Sequence, residues 1–158
     1  MTKKHTDLIR RAKKILAKNW RGGFTVPTDK LYPFQWNWDS GFVSMGLGHF
    51  SVENAMDELA SLFSGQWQNG MIPHIIFHSE TEKTYFPNFD FWKASVNKGA
   101  PNKPKTSGIT QPPVHGFILE ELLRQHPKDQ KLTAFAKVVV RDFTKDQRAN
   151  ACGCNGCN

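Results

Sequence analysis

Apolar positions recur at helical spacing in five segments of the 158-residue chain. In residues 6–20 the apolar side chains fall three or four positions apart, so that they line one face of a helix. The other segments show the same spacing, with Ser51 as a typical N-cap residue and with Pro112 and Pro113 at a helix start. The five predicted helices span residues 6–20, 39–50, 51–64, 112–126 and 129–147.

Very short turns join the second predicted helix to the third and the fourth to the fifth. This repetition of αα-hairpins, without strands between the helices, predicts an all-α fold. Two long aromatic-rich segments, residues 21–38 and 65–111, fall between the hairpins, and we expect them to gather at one end of the helical array. Within the second segment, KGAPNKPKTSGIT (residues 98–110) predicts a mobile surface insertion.

The second predicted helix, DSGFVSMGLGHF, contains three glycines, Gly41, Gly46 and Gly48. Glycine is unfavourable inside a helix, so its repeated use here predicts close packing against another helix. Asp39 or Ser40 is predicted as the N-cap of this helix.

The composition is typical of one globular domain and not of a membrane protein. Hydrophobic residues make up 39% and charged residues 22% of the chain, the mean hydropathy is −0.53, and no apolar run approaches the roughly 20 residues of a spanning helix. The N-terminus lacks the apolar segment of a secretory signal, which predicts a cytoplasmic protein. The net charge of +7 is compatible with nucleic-acid binding. Because many of the basic residues interleave with the first apolar stripe, a solvated helix face and no nucleic-acid partner are favoured.

All three cysteines, Cys152, Cys154 and Cys157, lie in the last seven residues, CGCNGCN. Structural zinc takes four ligands, and the nearest histidine, His126, is distant along the chain, so the spacing predicts no metal site. No disulfide framework follows from these cysteines either. The change in composition predicts a domain over residues 1–147 and a tail over residues 148–158 that lies outside the fold. Such a tail is typical of a truncated or frame-shifted gene end.

The densest aromatic stretch is YPFQWNWDSGF, residues 32–42, with five aromatic residues in eleven. Trp36 and Trp38 share one face if the segment is extended. Either the two rings close the top of the helical array as core residues, or they form a flat platform for the C–H faces of a sugar ring. Asp39 accepts hydrogen bonds from sugar hydroxyls in the second interpretation and is simply a helix N-cap in the first.

Further polar and aromatic side chains follow in the second long segment. His74 and His78 are four positions apart, but Pro73 and the apolar run after His74 argue against a regular helix. We therefore expect His74 to hydrogen-bond a ligand hydroxyl and expect no metal site. Tyr85 stands in the aromatic stretch YFPNFDFW, and the Gln111 amide precedes a helix start, where it suits a polyol. No nucleotide, cofactor or nucleophilic-serine motif is present, so the loops predict a carbohydrate or polyol pocket without a cofactor.

Four blocks of the sequence occur in a fixed order: YPFQWNWDSGF, HFSVENAMDELASLFSGQWQNGMIPHIIF, YFPNFDFW and TSGITQPPVHGF. Together they resemble glycoside hydrolase family 63, a family of inverting α-glycosidases, and within it the branch of bacterial mannosylglycerate and glucosylglycerate hydrolases. The resemblance runs from residue 7 to residue 147. It implies a toroid of six αα-hairpins, of which this chain supplies the N-terminal part with five helices.

The resemblance also implies that seven residues line the sugar-binding subsite: Tyr32, Trp36, Trp38, Asp39, His74, Tyr85 and Gln111. An inverting glycosidase uses a general acid and a general base whose carboxyl groups lie about 6.5–9.5 Å apart. In the family both come from segments C-terminal to the matching blocks. The resemblance therefore implies an enzyme acting on mannosylglycerate, glucosylglycerate or an α-glucoside, but no glycosidase activity for this chain alone. The alternative function is that of a non-catalytic carbohydrate-binding module. The sequence makes no prediction of the oligomeric state.

Overall fold

The computed structural model describes residues 3–78 and 85–151, with side chains described as far as residue 141. These residues form six α-helices, one 3₁₀ helix and three short strands. The helices are α1 (Lys3–Asn19), α2 (Asn37–Gly48), α3 (Val52–Phe63), α4 (Phe89–Trp92), α5 (His115–Gln125) and α6 (Gln130–Ala151). The 3₁₀ helix is Ala94–Val96, and the strands are β1 (Gln35–Trp36), β2 (Ile75–Phe77) and β3 (Lys105–Thr106). The three cysteines lie outside the described residues, and no helix within those residues combines the length and apolar character needed to cross a bilayer.

Five of these helices correspond to the five that the apolar spacing predicts. The Ser51 hydroxyl accepts a hydrogen bond from the Asn54 backbone N–H, so Ser51 is the N-cap of α3, as predicted. The Asp129 carboxylate accepts one from the Leu132 backbone N–H and caps α6 in the same way. The short turns between α2 and α3 and between α5 and α6 therefore form two αα-hairpins.

The main core lies where α2 contacts α3 and α5, and α6 packs against the same cluster. Its buried members are Leu47, Ala55, Leu59, Ile118, Leu119, Leu122, Leu132 and Ala136. Two glycines of α2 permit the close approach that the sequence predicts. A Cβ added at Gly41 would lie 2.7 Å from Val114 Cγ2, and one at Gly48 would lie 2.5 Å from Leu122 Cδ2. The prediction is wrong for Gly46, where the nearest atom would be 3.7 Å away.

Three predicted helix starts differ from the structure by two or three residues, and α1 is one of them, since it begins at Lys3 and not at residue 6. Helix α2 begins at Asn37, with Trp36 in the N-cap position and no side-chain cap from that residue, so Asp39 lies inside the first turn and is not the cap. Since the strand ends at Trp36 and the helix holds Trp38, the two rings do not share the face of one extended segment. Helix α5 begins at His115, two residues after the second of the paired prolines.

A three-stranded antiparallel sheet in the order β1-β2-β3 corrects the all-α prediction. Trp36 pairs with Ile75, and Ile76 pairs with Thr106. Strands of two or three residues are too short to show an alternating pattern in the sequence, which is why they were not predicted. The sheet carries a second apolar cluster of Phe34, Trp36, Ile75 and Phe77.

The stretch of residues 98–110 is not the mobile surface insertion that its composition predicts. It contains β3, and both Thr106 and Ser107 are buried. The Trp67 indole N–H donates to the Thr106 hydroxyl at 3.0 Å, and the Ser107 backbone N–H donates to the Ile75 carbonyl at 3.0 Å. Hydrogen bonds to distant segments therefore hold this stretch against the sheet.

Candidate functional site

A cavity of about 400 Å³ opens where the sheet meets the start of α2. Its lining residues are Pro27, Tyr32, Trp36, Trp38, Asp39, His74 and Gln111. Six of the seven residues predicted for the sugar subsite thus line one cavity, although they come from three separate parts of the chain. The volume lies within the range of cavities that enclose small molecules in proteins.

The two tryptophans of the cavity have different surroundings. Trp36 is only 6% exposed, and the rings of Tyr32, His74 and Tyr85 meet it nearly at right angles. Edge-to-face contacts of this kind fix a ring in place. Trp38 is 43% exposed, since the first turn of α2 points it away from the core. Trp36 is therefore a core residue that also lines the cavity, whereas Trp38 presents an open ring.

His74 is held in the cavity wall by its own backbone. Its N–H donates to the Ile109 carbonyl at 2.7 Å, and its carbonyl accepts from the Asn37 N–H at 3.0 Å. Asn37 is fully buried, and its side-chain amide donates to the carbonyls of Ile72 and Pro73. These bonds extend the sheet pairing into the start of α2 and bring the His74 imidazole to the same wall as Trp36.

Gln111 reaches the cavity through a contact with the start of α2. Its side-chain oxygen accepts a hydrogen bond from the Trp38 backbone N–H at 3.2 Å. The first N–H groups of a helix have no partners within the helix, so Gln111 caps α2 from a position 73 residues away. This contact places a side-chain amide next to the open ring of Trp38.

Asp39 and His74 form the ionisable part of the cavity. Burial raises the pKa of Asp39, while hydrogen bonds from its own backbone N–H and from the Trp38 indole, together with the nearby His74, act in the opposite direction. Burial lowers the pKa of His74, and the Asp39 charge opposes that shift. Burial thus favours the neutral form of each group, and their mutual attraction favours the charged forms. Among the described residues, His74 Nδ1 is buried without a hydrogen-bond partner.

Tyr85, the seventh predicted residue, does not line the cavity but lies directly behind its wall. Its ring meets those of Phe34 and Trp36 edge-on, with centroids 5.1 and 6.2 Å away. Burial raises the pKa of its hydroxyl, and the neighbouring Tyr32 adds to that effect. In this structure Tyr85 supports Trp36 from behind.

His78 lies in surroundings different from those of His74. Its ring stacks on Phe24 with centroids 3.8 Å apart, and its Nε2 lies 2.7 Å from the Gln35 side-chain oxygen. The described residues contain no group of three or more His, Cys, Asp or Glu side chains arranged to hold a metal ion. A second cavity of about 330 Å³ shares Gln111 with the first. Its other lining residues are Asn69, Gly70, Met71, Ile72, Thr110, Pro113 and His115.

Sequence reasoning missed two residues of the site: Pro27, which lines the cavity, and Glu58, which is buried behind it. Pro27 lines the cavity, and nothing local in its stretch of sequence indicates this. Glu58 is fully buried on α3. A signal for it does exist, because Glu58 stands three positions after Ala55 and four before Leu62, inside the apolar stripe of its helix.

Comparison with known proteins extends these observations. A family profile described as the mannosylglycerate hydrolase MGH1-like glycoside hydrolase domain matches residues 32–149. The chain is 49% identical over 121 residues to mannosylglycerate hydrolase MGH1 of Selaginella moellendorffii, covering 76% of this chain and 23% of that protein. It is 45% identical over 119 residues to the glucosylglycerate hydrolase of Mycolicibacterium hassiacum, covering 75% of this chain and 26% of that protein.

A solved structure gives the same result. The crystal structure of the family 63 mannosylglycerate hydrolase from Thermus thermophilus with Tris superposes with a TM-score of 0.77 at 38% identity. The match covers 89% of this chain and 32% of that enzyme, which has also been solved with D-glycerate and with glucose.

These likenesses define a glycoside hydrolase fold, a partial helical toroid to which the small sheet is added. The chain belongs to the mannosylglycerate hydrolase MGH1-like family of glycoside hydrolases. The family expected from the four sequence blocks is therefore confirmed. The chain spans about a quarter of the length of the curated relatives that it matches.

Proposed function

We propose that this chain forms the sugar-binding wall of a hydrolase that cleaves the glycosidic bond of a small α-glycoside. The observation that carries this proposal is the meeting of six predicted residues in one cavity, with aromatic rings, one carboxylate, one imidazole and one amide. Ligand pockets in proteins are concave sites that combine apolar and aromatic faces with a few convergent polar groups, and this cavity has that composition.

Each side chain has a distinct part in holding a pyranose ring. The exposed ring of Trp38 offers a flat face for the C–H groups of the sugar. The Asp39 carboxylate accepts hydrogen bonds from hydroxyl groups, and charge-assisted bonds of this kind are stronger than neutral ones. His74 and Gln111 offer groups that can both donate and accept. Trp36 and the Tyr85 ring behind it keep this wall rigid.

We propose mannosylglycerate or glucosylglycerate as the substrate, because the relatives described above are hydrolases named for these two compounds. Hydrolysis with inversion needs two carboxyl groups about 6.5–9.5 Å apart. Within the described residues, Asp39 is the one carboxylate that lines the cavity. The chain itself is therefore proposed to bind the sugar without cleaving the bond, through a domain over residues 1–147. Its cytoplasmic location and the lack of a nucleic-acid partner stay predictions.

The test is titration of the purified chain with each of the two glycosides, in which binding is measured by calorimetry and by tryptophan fluorescence. We expect saturable binding that quenches the fluorescence. Replacing Asp39 by Asn removes a charged hydrogen-bond acceptor, so the affinity is expected to fall about 10- to 100-fold. Trp38→Ala removes the open ring and is expected to lower the affinity at least about tenfold.

Phe42→Ala is the matched control for Trp38→Ala. Phe42 is also an exposed aromatic residue of α2, at 48%, but it contacts Phe117 and not the cavity. Its replacement should leave the affinity unchanged. Equal losses for Trp38→Ala and Phe42→Ala would contradict the assignment of the cavity. Release of glucose or mannose from either glycoside by the chain alone would contradict binding without cleavage.

A further inference from the structure

Glu58 is a buried carboxyl group that the sugar cavity does not explain. It lies on α3, is 0% exposed, and has apolar neighbours on the same helix face, including Ala55, Leu59 and Leu62. A carboxyl group in such a place costs free energy unless it is well hydrogen-bonded. Its partners therefore indicate why it is there.

One oxygen of Glu58 binds two different structural elements. Its Oε1 accepts a hydrogen bond from the Ser40 hydroxyl of α2 at 2.5 Å and from the Gln35 side-chain amide of β1 at 2.9 Å. The same Gln35 amide nitrogen also donates to the Glu58 backbone carbonyl at 3.0 Å. A single residue of α3 thus holds the strand and the following helix at a fixed separation.

The two partners of Glu58 stand directly beside residues of the cavity wall. Gln35 precedes Trp36, and Ser40 follows Asp39. The two residues that bind Glu58 therefore flank the stretch that contributes three lining residues. Gln35 also pairs with Ile76 of β2, which keeps the His74 side of the wall in register. Glu58 lies behind this wall and does not touch the cavity.

We propose that Glu58 is a positioning residue for the sugar cavity, because its buried carboxyl group fixes the turn from β1 into α2 that carries Trp36, Trp38 and Asp39. The expected effect of Glu58 on sugar affinity rests on the proposed function. The effect of Glu58 on the conformation of the turn does not depend on any ligand.

The protonation of Glu58 supports this role and supplies a readout. Burial raises its pKa to about 7, although the hydrogen bonds from Ser40 and Gln35 and the nearby Thr25 oppose the shift. Its second oxygen, Oε2, is buried without a hydrogen-bond partner within the described part of the chain. An unpaired buried oxygen favours the protonated form. The turn is therefore held by a group that changes charge close to neutral pH.

Other titratable groups lie near the wall, among them His78, His74 and Asp39. His78 joins the network through Gln35, but burial lowers its pKa to about 4, so it is neutral where Glu58 titrates. On the cavity side, the pKa of His74 is lowered from its usual value and the pKa of Asp39 is raised from a low one. The variant Asp39→Asn removes the Asp39 carboxyl group, so a pH-dependent change that persists in this variant does not come from Asp39.

The experiment uses the full chain labelled with 5-fluorotryptophan, with the Trp36 and Trp38 fluorine signals assigned by Trp→Phe variants. Both signals are followed from pH 5.5 to 8.5 without ligand. We expect a chemical-shift step with a midpoint near pH 7 in the unaltered chain and no such step in Glu58→Gln. The control Glu53→Gln, which changes an exposed carboxylate on the same helix, should keep the step, and so should Asp39→Asn.

A binding measurement at pH 6 adds the rescue test. Glu58→Gln keeps an acceptor oxygen for Ser40 and Gln35, so its affinity for mannosylglycerate should stay close to that of the unaltered chain. Glu58→Leu removes the acceptor and is expected to lower the affinity about tenfold. If Glu58→Leu does not fold, Ser40→Ala takes its place, since it removes one of the two bonds and should shift the Trp38 signal.

The outcomes are separable. A step near pH 7 that persists in Glu58→Gln, or Trp36 and Trp38 signals that Ser40→Ala leaves unchanged, would overturn the positioning role. Absence of glycoside binding by the unaltered chain would contradict the proposed function, but the fluorine step would still test Glu58, because it is measured without ligand.

Discussion

The helical core and the cavity wall use different interactions. In the core, apolar side chains such as Leu59 and Leu122 pack from stripes that each helix carries within its own sequence. In the wall, hydrogen bonds join residues far apart in the chain, as between Asn37 and Ile72 or Trp38 and Gln111, which are 35 and 73 positions apart. Apolar attraction has no preferred direction, whereas each hydrogen bond fixes both a distance and a direction. The difference indicates that the core stabilises the chain while the polar bonds place the cavity residues.

The largest expected effect is the loss of packing in the core. Leu59 is completely buried, and Leu59→Ala removes apolar surface and leaves a cavity, so the free energy of unfolding should fall by about 2–5 kcal/mol. Urea denaturation measures this change. Leu8→Ala, at a position on α1 that is 53% exposed, is the control and should change stability by less than about 0.5 kcal/mol. Similar losses for the two variants would show that the cluster around Leu59 does not dominate stability.

The next effect is pH-dependent and arises where α5 begins, between the core and the wall. His115 is buried against the Phe63 ring, and burial lowers its pKa to about 4 from an ordinary value of 6.5. The folded state therefore binds the proton less well than the unfolded state. The stability that follows is fully present above pH 6.5 and is lost as the pH falls through 4.

The variant His115→Gln tests this dependence. Between pH 7 and pH 4 the unaltered chain should lose up to about 3 kcal/mol more stability than His115→Gln does. Denaturation at several pH values measures the difference. His78 contributes in the same direction, so part of the pH dependence will persist in the variant. His5→Gln, on the exposed side of α1, should follow the unaltered chain. Parallel curves for His115→Gln and the unaltered chain would rule out this role of His115.

A smaller effect is expected from the wall itself. Asn37→Ala leaves the buried carbonyls of Ile72 and Pro73 without their donor, at a cost of about 1–3 kcal/mol. Hydrogen exchange should become faster at Trp38 and at the wall residues near His74, while the amides of the core around Leu122 change less. Asn102→Ala, at an exposed asparagine, is the control. Uniform acceleration across the core and the wall would mean that the two regions do not respond separately.

The same contrast explains what the sequence could predict. The five main helices were predicted because their apolar stripes and the Ser51 cap are local signals. The start of α2 was placed too late because its cap comes from Gln111, far along the chain. The sheet was missed because strands of two or three residues carry no readable alternation, and its pairing is set by contacts between distant segments.

For the site, local reasoning identified residue types and the family resemblance identified positions. Six of the seven positions meet in one cavity, whereas Tyr85 stands behind it. Neither source distinguished the buried Trp36 from the exposed Trp38, because that difference depends on where the strand changes into the helix. Glu58 carries a signal of its own, because a charged residue inside an apolar stripe is unusual, but the sequence alone does not show which groups it contacts.

The smallest expected effect refines the account of the core itself. An alanine at Gly46 would place its Cβ 3.7 Å from Leu16 Cδ1, an ordinary contact, so the gain in helix propensity should stabilise the chain by about 0.5–1 kcal/mol. The same change at Gly48 would press on the buried Leu122 at 2.5 Å and should destabilise the chain. Thermal denaturation of the two variants gives shifts of opposite sign if α2 packs as described. Stabilisation by both alanines would mean that the close approach of α2 to α5 does not require Gly48. It would also mean that the side chain of Leu122 can move aside although it is buried.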